Sequence, residues 1–156
     1  MTWLLHGVYD RSVDKARSVN LDWPVGWRRL LERCSLMNQP RAKLLGWAAL
    51  PAITAPSATK LDANAVRRVE AVVLDFDDCK DLVADRIVAS IASITQSGLG
   101  WWETWRSQPS TPRVRVLIPL TDPIGVAQYR RTWHALADRV QATLGIAPDP
   151  HAEPSR

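Results

Sequence analysis

Cysteine is scarce in this 156-residue chain: Cys34 and Cys79 are the only two. Their separation fits neither a zinc site nor a disulfide framework, so both are read as reduced structural thiols. Cys79 also follows a cluster of carboxylates, which disfavours a reactive thiolate. Histidine is nearly as rare, with three residues. No apolar run approaches the roughly 20 residues that span a bilayer, so no membrane partner is expected. The opening stretch Met1 to His6 lacks the charged lead and long apolar segment of a secretory signal. The expected location is therefore cytoplasmic. Internal repeats and low-complexity tracts are also missing, which excludes solenoids and linker-like chains.

What is present suits one globular domain. The apolar fraction is 46%, enough for a real core at this length. The net charge is +4, carried mostly by arginine. A modest basic excess fits a polyanion such as nucleic acid, and fits many unrelated proteins as well.

Residues 1–66 are read as an N-terminal extension packing on the core, and residues 67–156 as the core itself. Within the extension, Trp27, Leu30, Leu31 and Cys34 recur at helical spacing across Gly26 to Met37. Residues 42–50 suit a strand or a short helix, and Pro51 to Ala65 reads as loop. From Val69 the pattern sharpens. Val69 to Phe76 is a short aliphatic strand. Asp81 to Thr95 is a helix with Val83, Ile87, Ile91 and Ile94 on one face, closed by Ser97-Gly98. Gly100 to Arg106 is a strand, Gln108 to Pro112 a turn, and Arg113 to Leu120 a strand of strict alternation. Asp122-Pro123 reads as the start of a second helix, with Asp122 as N-cap. Its apolar stripe is Val126, Tyr129, Trp133, Leu136, Val140 and Leu144, and Gly145 stops it.

Strand, helix, strand, strand, helix predicts an α+β fold: an RRM-like or ferredoxin-like β-α-β-β-α core, helices on one face of an antiparallel sheet. The last strand of that pattern is missing from the core. Either the chain is a fragment, or a segment such as Ala42 to Leu50 fills the edge.

Asp75 and Asp77 are two apart at the end of the first core strand, so both leave the same face. Carboxylates so close repel unless a cation lies between them, and oxygen ligands suit Mg²⁺ or Mn²⁺. Arg113 and Arg115 obey the same two-residue rule. If the first and third core strands are adjacent, all four side chains share the face away from the helices. Carboxylates for metal beside guanidiniums for phosphate are what a nucleoside triphosphate site requires. The plainer alternative is a solvated strand end with surface ion pairs. Of the eight tryptophans, Trp133 belongs to a helix stripe, whereas Trp101, Trp102 and Trp105 alternate on a strand, so at least one is expected to be exposed. That one could stack on a base or simply pack.

Val72-Val73-Leu74-Asp75-Phe76-Asp77-Asp78 resembles the first motif of archaeo-eukaryotic primases. Trp102 to Ser107, with Pro112 to Leu120, resembles their second-motif strand and the strand after it, especially in phage- and plasmid-type primase-polymerases. Asp149, followed by Pro154-Ser155-Arg156, resembles their third motif. The resemblance implies metal-dependent nucleotidyl transfer on a single-stranded DNA template, using nucleoside triphosphates and in some systems a helicase. It implies Asp75, Asp77 and Asp149 as catalytic metal ligands. It implies Ser107, Arg113, Arg115, Arg106 and Arg156 at the nucleotide. Ser107 stands where the family carries a histidine. A serine donates one hydrogen bond and no positive charge, so Arg106 is the candidate substitute, and Ser107→His is expected to strengthen nucleotide binding. His134 is assigned a structural role in the second helix. His151 lies near Asp149, where either a phosphate contact or an exposed tail position is open.

Two other readings stand beside the enzyme. One is a degenerate replication-initiator relative that holds DNA without synthesis, favoured by Ser107. The other is a haloacid dehalogenase-like phosphatase, in which Asp75 would be the nucleophile and Asp77 the acid/base.

Overall fold

The computed structural model describes residues 2–7, 17–20, 25, 47–50, 52–54, 66–77, 79, 82–104 and 106–150. Among the described residues nine elements follow in chain order. They are β1 (Thr2–Gly7), β2 (Arg17–Asn20), β3 (Trp47–Leu50), β4 (Ala52–Thr54), β5 (Val66–Phe76), α1 (Ala84–Thr95), β6 (Gly100–Glu103), β7 (Val114–Gly125) and α2 (Val126–Leu144). The fold is α+β. One sheet has the order β2-β1-β3 and the other β4-β5-β7-β6, and every pairing among the described strands is antiparallel.

Period-two alternation divides the larger sheet into two unlike faces. Val72, Leu74 and Phe76 of β5 and Val114, Val116 and Ile118 of β7 join one buried cluster. Both helices contribute to it, α1 through Ile87 and Ile91 and α2 through Tyr129, Trp133 and Val140. Fully burying an aliphatic side chain of this size contributes roughly 1.5–3 kcal/mol, so this cluster dominates the stability of the layer. A polar tie supplements it: the Trp133 indole N–H donates to the Val73 carbonyl at 3.0 Å, joining α2 to β5.

The helices start later than their patterns suggest. α1 begins at Ala84, and Val83 is its extended N-cap, 63% exposed rather than part of the core stripe. Gln96, in the left-handed conformation, ends α1 just before Ser97. α2 begins after Gly125, not at Asp122, because β7 runs on through both of its prolines. Ile124 and Gly125 pair with Val69 and Arg68, and the register between Pro119 and Ile124 is irregular. A proline offers no N–H to a ladder, so Pro119 and Pro123 are tolerated where regular pairing breaks. Gly145 stops α2 as expected, at φ +73°, with its N–H donating to the Gln141 carbonyl at 2.9 Å.

The vacant edge beside β5 is filled from the N-terminal extension, by Ala52–Thr54 and not by residues 42–50. Within that range, Trp47–Leu50 pairs instead with β1. The loop expected from Pro51 to Ala65 thus contains a three-residue strand. The helix expected over Gly26 to Met37, and Cys34 with it, lie outside the described residues. No described helix is long and apolar enough to cross a membrane.

Candidate functional site

The other face of the same two strands carries the polar chemistry. Asp75 and Arg115 are direct partners in the β5–β7 register. The Arg115 Nε donates to Asp75 Oδ2 at 3.1 Å, and its Nη2 donates to the same oxygen. Asp77, one residue beyond the strand, meets Arg113 with Oδ1 3.4 Å from Nη1. The four residues singled out by alternation therefore do share one face, and they meet as two acid–base pairs.

The two pairs differ in burial. Asp75 is 7% exposed, whereas the Asp77 side chain is 45% exposed. Ala71 and Leu117, on the same face as Asp75, are fully buried, whereas the Arg115 side chain is 41% exposed, so this face is open around Arg115 and the Asp77–Arg113 pair. An ionised carboxylate removed from water is costly unless paired, and Arg115 supplies that pairing to Oδ2. Asp75 Oδ1 is buried with no hydrogen-bond partner among the described residues. A buried carboxylate oxygen left over in this way calls for a partner, which a water or a cation can supply.

Trp102 extends the row. It lies opposite Arg115 on β6, and the guanidinium carbon is 5.8 Å from its ring centroid. Trp101 points to the other face and packs against the core cluster, so the two adjacent tryptophans divide as alternation requires. Both are half-buried, so the expectation that at least one of Trp101, Trp102 and Trp105 is exposed rests on the third. Trp105 lies outside the described residues.

Asp149 reaches the site through its main chain. Its N–H donates to the Asp75 carbonyl at 2.7 Å, which brings the segment after α2 against the end of β5. That contact joins two positions 74 residues apart that the primase resemblance had grouped (149 − 75). Among the described residues no group of three His, Cys, Asp or Glu side chains is arranged to hold a metal ion. A divalent cation fits what is shown to this extent: Asp75 and Asp77 lie on one face, and Asp75 Oδ1 has no partner among the described residues. Arg156, Asp78 and His151 lie outside the described residues.

Beyond Arg113 the β6–β7 connection forms a shallow cleft of about 400 Å³ lined by Arg106, Ser107, Gln108, Thr111 and Arg113. Three expected nucleotide-contacting residues thus line one hollow. Its two guanidiniums, with no acid in the lining, favour an anionic occupant. Ser107 does not act there as a free donor. Its hydroxyl lies 2.6 Å from Glu103 Oε2, and an ionised carboxylate only accepts, so the serine proton is directed to Glu103. The Ser107 Oγ in turn accepts the Arg113 N–H at 3.0 Å. Replacing Ser107 by histidine would break both contacts, so the expected gain in nucleotide binding does not follow from this geometry.

The remaining candidates stay outside the site. Cys79 is fully buried, its Sγ 3.8 Å from the Phe76 carbonyl, as a structural thiol should be. His134 is exposed and meets Trp133 edge-on, with centroids 5.2 Å apart. Glu103 was missed, because only its contact with Ser107, four residues later, gives it meaning. Comparison with protein-family models, with curated proteins and with solved structures yields no match to this chain.

Proposed function

We propose that the polar face of β5 and β7 is the nucleotide-handling surface of a metal-dependent nucleotidyltransferase core of the archaeo-eukaryotic primase kind. One observation carries the reading: a buried aspartate with one oxygen unpartnered among the described residues stands in register with an arginine, and a second, more exposed aspartate–arginine pair lies beside it. The strand order supports it. In an RRM-like or ferredoxin-like sheet the first and third strands are central and the second lies outside the third, as β5, β7 and β6 do here. The fourth position, beside the first strand, is taken at one end by β4 and approached at the other by the Asp149 main chain.

In this reading Asp75 and Asp77 hold Mg²⁺ or Mn²⁺, with Asp149 brought near by its backbone contact. When bound, the cation supplies charge neutralisation for a triphosphate and its leaving group. Arg113 and Arg106 face the cleft and bind phosphate oxygens there. Arg115 holds the Asp75 carboxylate in place through Oδ2 and leaves Oδ1 available. Trp102, flanking Arg115, offers a ring on which a base of the single-stranded template could rest. Nucleoside triphosphates and template DNA are the partners, with a helicase acting alongside.

The second reading is a DNA-holding module without synthesis. It draws on the same site: both carboxylates already have arginine partners, and the Ser107 hydroxyl is engaged internally. The phosphatase reading has less support. It requires the Asp75 strand within a parallel sheet, and β5 has antiparallel neighbours on both sides.

Incubating the protein with a single-stranded template, ribo- and deoxynucleotides, and Mn²⁺ or Mg²⁺ separates the three. Metal-dependent product is expected, falling by about 100-fold or more in Asp75→Asn, the scale on which losing a central charge-stabilising group usually registers. Template binding with no product would favour the holding module. Release of phosphate from a generic phosphomonoester would favour the phosphatase.

A further inference from the structure

We propose that Glu103 is a positioning residue for the anion cleft, acting through the Ser107 hydroxyl to set Arg113 against Asp77. The proposal deepens the nucleotide-binding reading and assigns a role to a residue outside the acid and arginine pairs.

The connection between β6 and β7 is held first by its backbone. The Thr104 N–H donates to the Arg113 carbonyl at 2.9 Å, carrying the ladder one step past Glu103. The Ser107 N–H then turns back to the Thr104 carbonyl at 2.9 Å. Gln108 and Thr111 close the tip by exchanging two bonds, at 3.3 and 3.0 Å. The Arg113 N–H has no backbone acceptor among these, and it uses the Ser107 Oγ.

A serine hydroxyl has one proton and can turn it in several directions. With an acceptor at Glu103, that proton has a fixed destination, and a lone pair is left facing the Arg113 N–H. A bond to an ionised acceptor is shorter and stronger than a neutral one, consistent with the 2.6 Å separation. Glu103 therefore fixes Ser107, Ser107 fixes the Arg113 backbone, and the Arg113 side chain starts from a defined point toward Asp77 and the cleft. Glu103 is also negative and close to an otherwise cationic hollow, so it opposes an incoming anion while it orders the residue that binds it.

Those two effects separate in two variants. Glu103→Gln removes the charge and keeps an oxygen that accepts from Ser107. Glu103→Ala removes both. The probe is inorganic tripolyphosphate, titrated calorimetrically against the full chain at low ionic strength, with amide exchange at Arg113 followed by NMR in parallel. The Gln variant is expected to bind two- to five-fold more tightly than the parent. The Ala variant is expected to bind at least five-fold more weakly than the Gln variant, with Arg113 amide exchange about ten-fold faster. Measurable and equal affinity in the two variants would reduce Glu103 to a charge and overturn the proposal. So would Arg113 exchange unchanged between them, which decides the matter even if the parent binds no tripolyphosphate. Absent binding in the parent with the exchange difference intact would instead sink the nucleotide-binding reading of the cleft and leave the positioning role standing.

Discussion

Leu74 and Asp75 are neighbours in one strand and live in opposite surroundings. Leu74 is closed within the cluster shared with both helices, while Asp75 faces the other way and pairs with Arg115. One face of the sheet has nothing to do but pack. The other carries charges whose pairing is incomplete, since Asp75 Oδ1 lacks a partner among the described residues. The contrast teaches that stability and chemistry are held a single residue apart and should respond to substitution independently. A change on the packed face should be read in unfolding and, if the nucleotidyltransferase reading holds, a change on the polar face in binding and turnover.

The strongest challenge to that division is Leu74→Ala. Leu74 has no exposed surface, so truncation removes buried methyl groups and leaves a cavity beneath the helices. A loss of about 3 kcal/mol is expected, read as a lower urea midpoint with an unchanged slope. A loss below about 1 kcal/mol would mean that this site collapses freely and that the packed face is less tightly built than the contact pattern implies.

Trp133→Phe probes a polar tie from α2 to β5. It deletes the indole N–H that donates to the Val73 carbonyl at 3.0 Å and leaves a smaller ring in the core. The expected cost is about 1–2 kcal/mol, combining a hydrogen bond with modest lost packing. Thermal unfolding read from the remaining tryptophans would detect it. An undetectable shift would show that this hydrogen bond adds nothing to the apolar packing around it.

Much of this contrast could be read before any coordinates. Alternation in Arg113 to Leu120 and the Asp75–Asp77 spacing predicted the shared polar face, because side-chain direction in a strand is set by parity alone. The helix stripes through Ile87, Ile91, Tyr129, Trp133 and Val140 were equally legible, because burial follows the helical period. What escaped depends on partners distant in sequence. Ala52–Thr54 becomes a strand only because β5 offers an open edge, and its flanking prolines had argued for a loop. β7 continues past Pro119 and Pro123 because Val69 and Arg68 pair beyond them, which outweighs a good local N-cap at Asp122. Asp149 entered only through a family resemblance, and its contact with Asp75 is made by the backbone, which no side-chain pattern encodes. The Ser107 proton could not be assigned without seeing Glu103.

The smallest effect is expected at Asp77, and it sharpens the comparison most. Its pairing with Arg113 spans 3.4 Å with both side chains substantially exposed, 45% and 31%. Exposed pairs contribute little, because water and salt screen them and two long side chains must be ordered. Asp77→Asn should therefore lower stability by no more than about 0.5 kcal/mol at low ionic strength, and the difference should vanish near 1 M salt, where the screening length falls to about 3 Å. Metal-dependent product, if the nucleotidyltransferase reading holds, should nonetheless drop steeply in the same variant, because an amide is a much poorer ligand for Mg²⁺ than a carboxylate. A near-silent unfolding curve beside a large loss of turnover is the signature of a residue kept for chemistry. A large, salt-insensitive loss of stability would instead mark Asp77 as part of the scaffold, and the division between the two faces would fail at the point where it was expected to be cleanest.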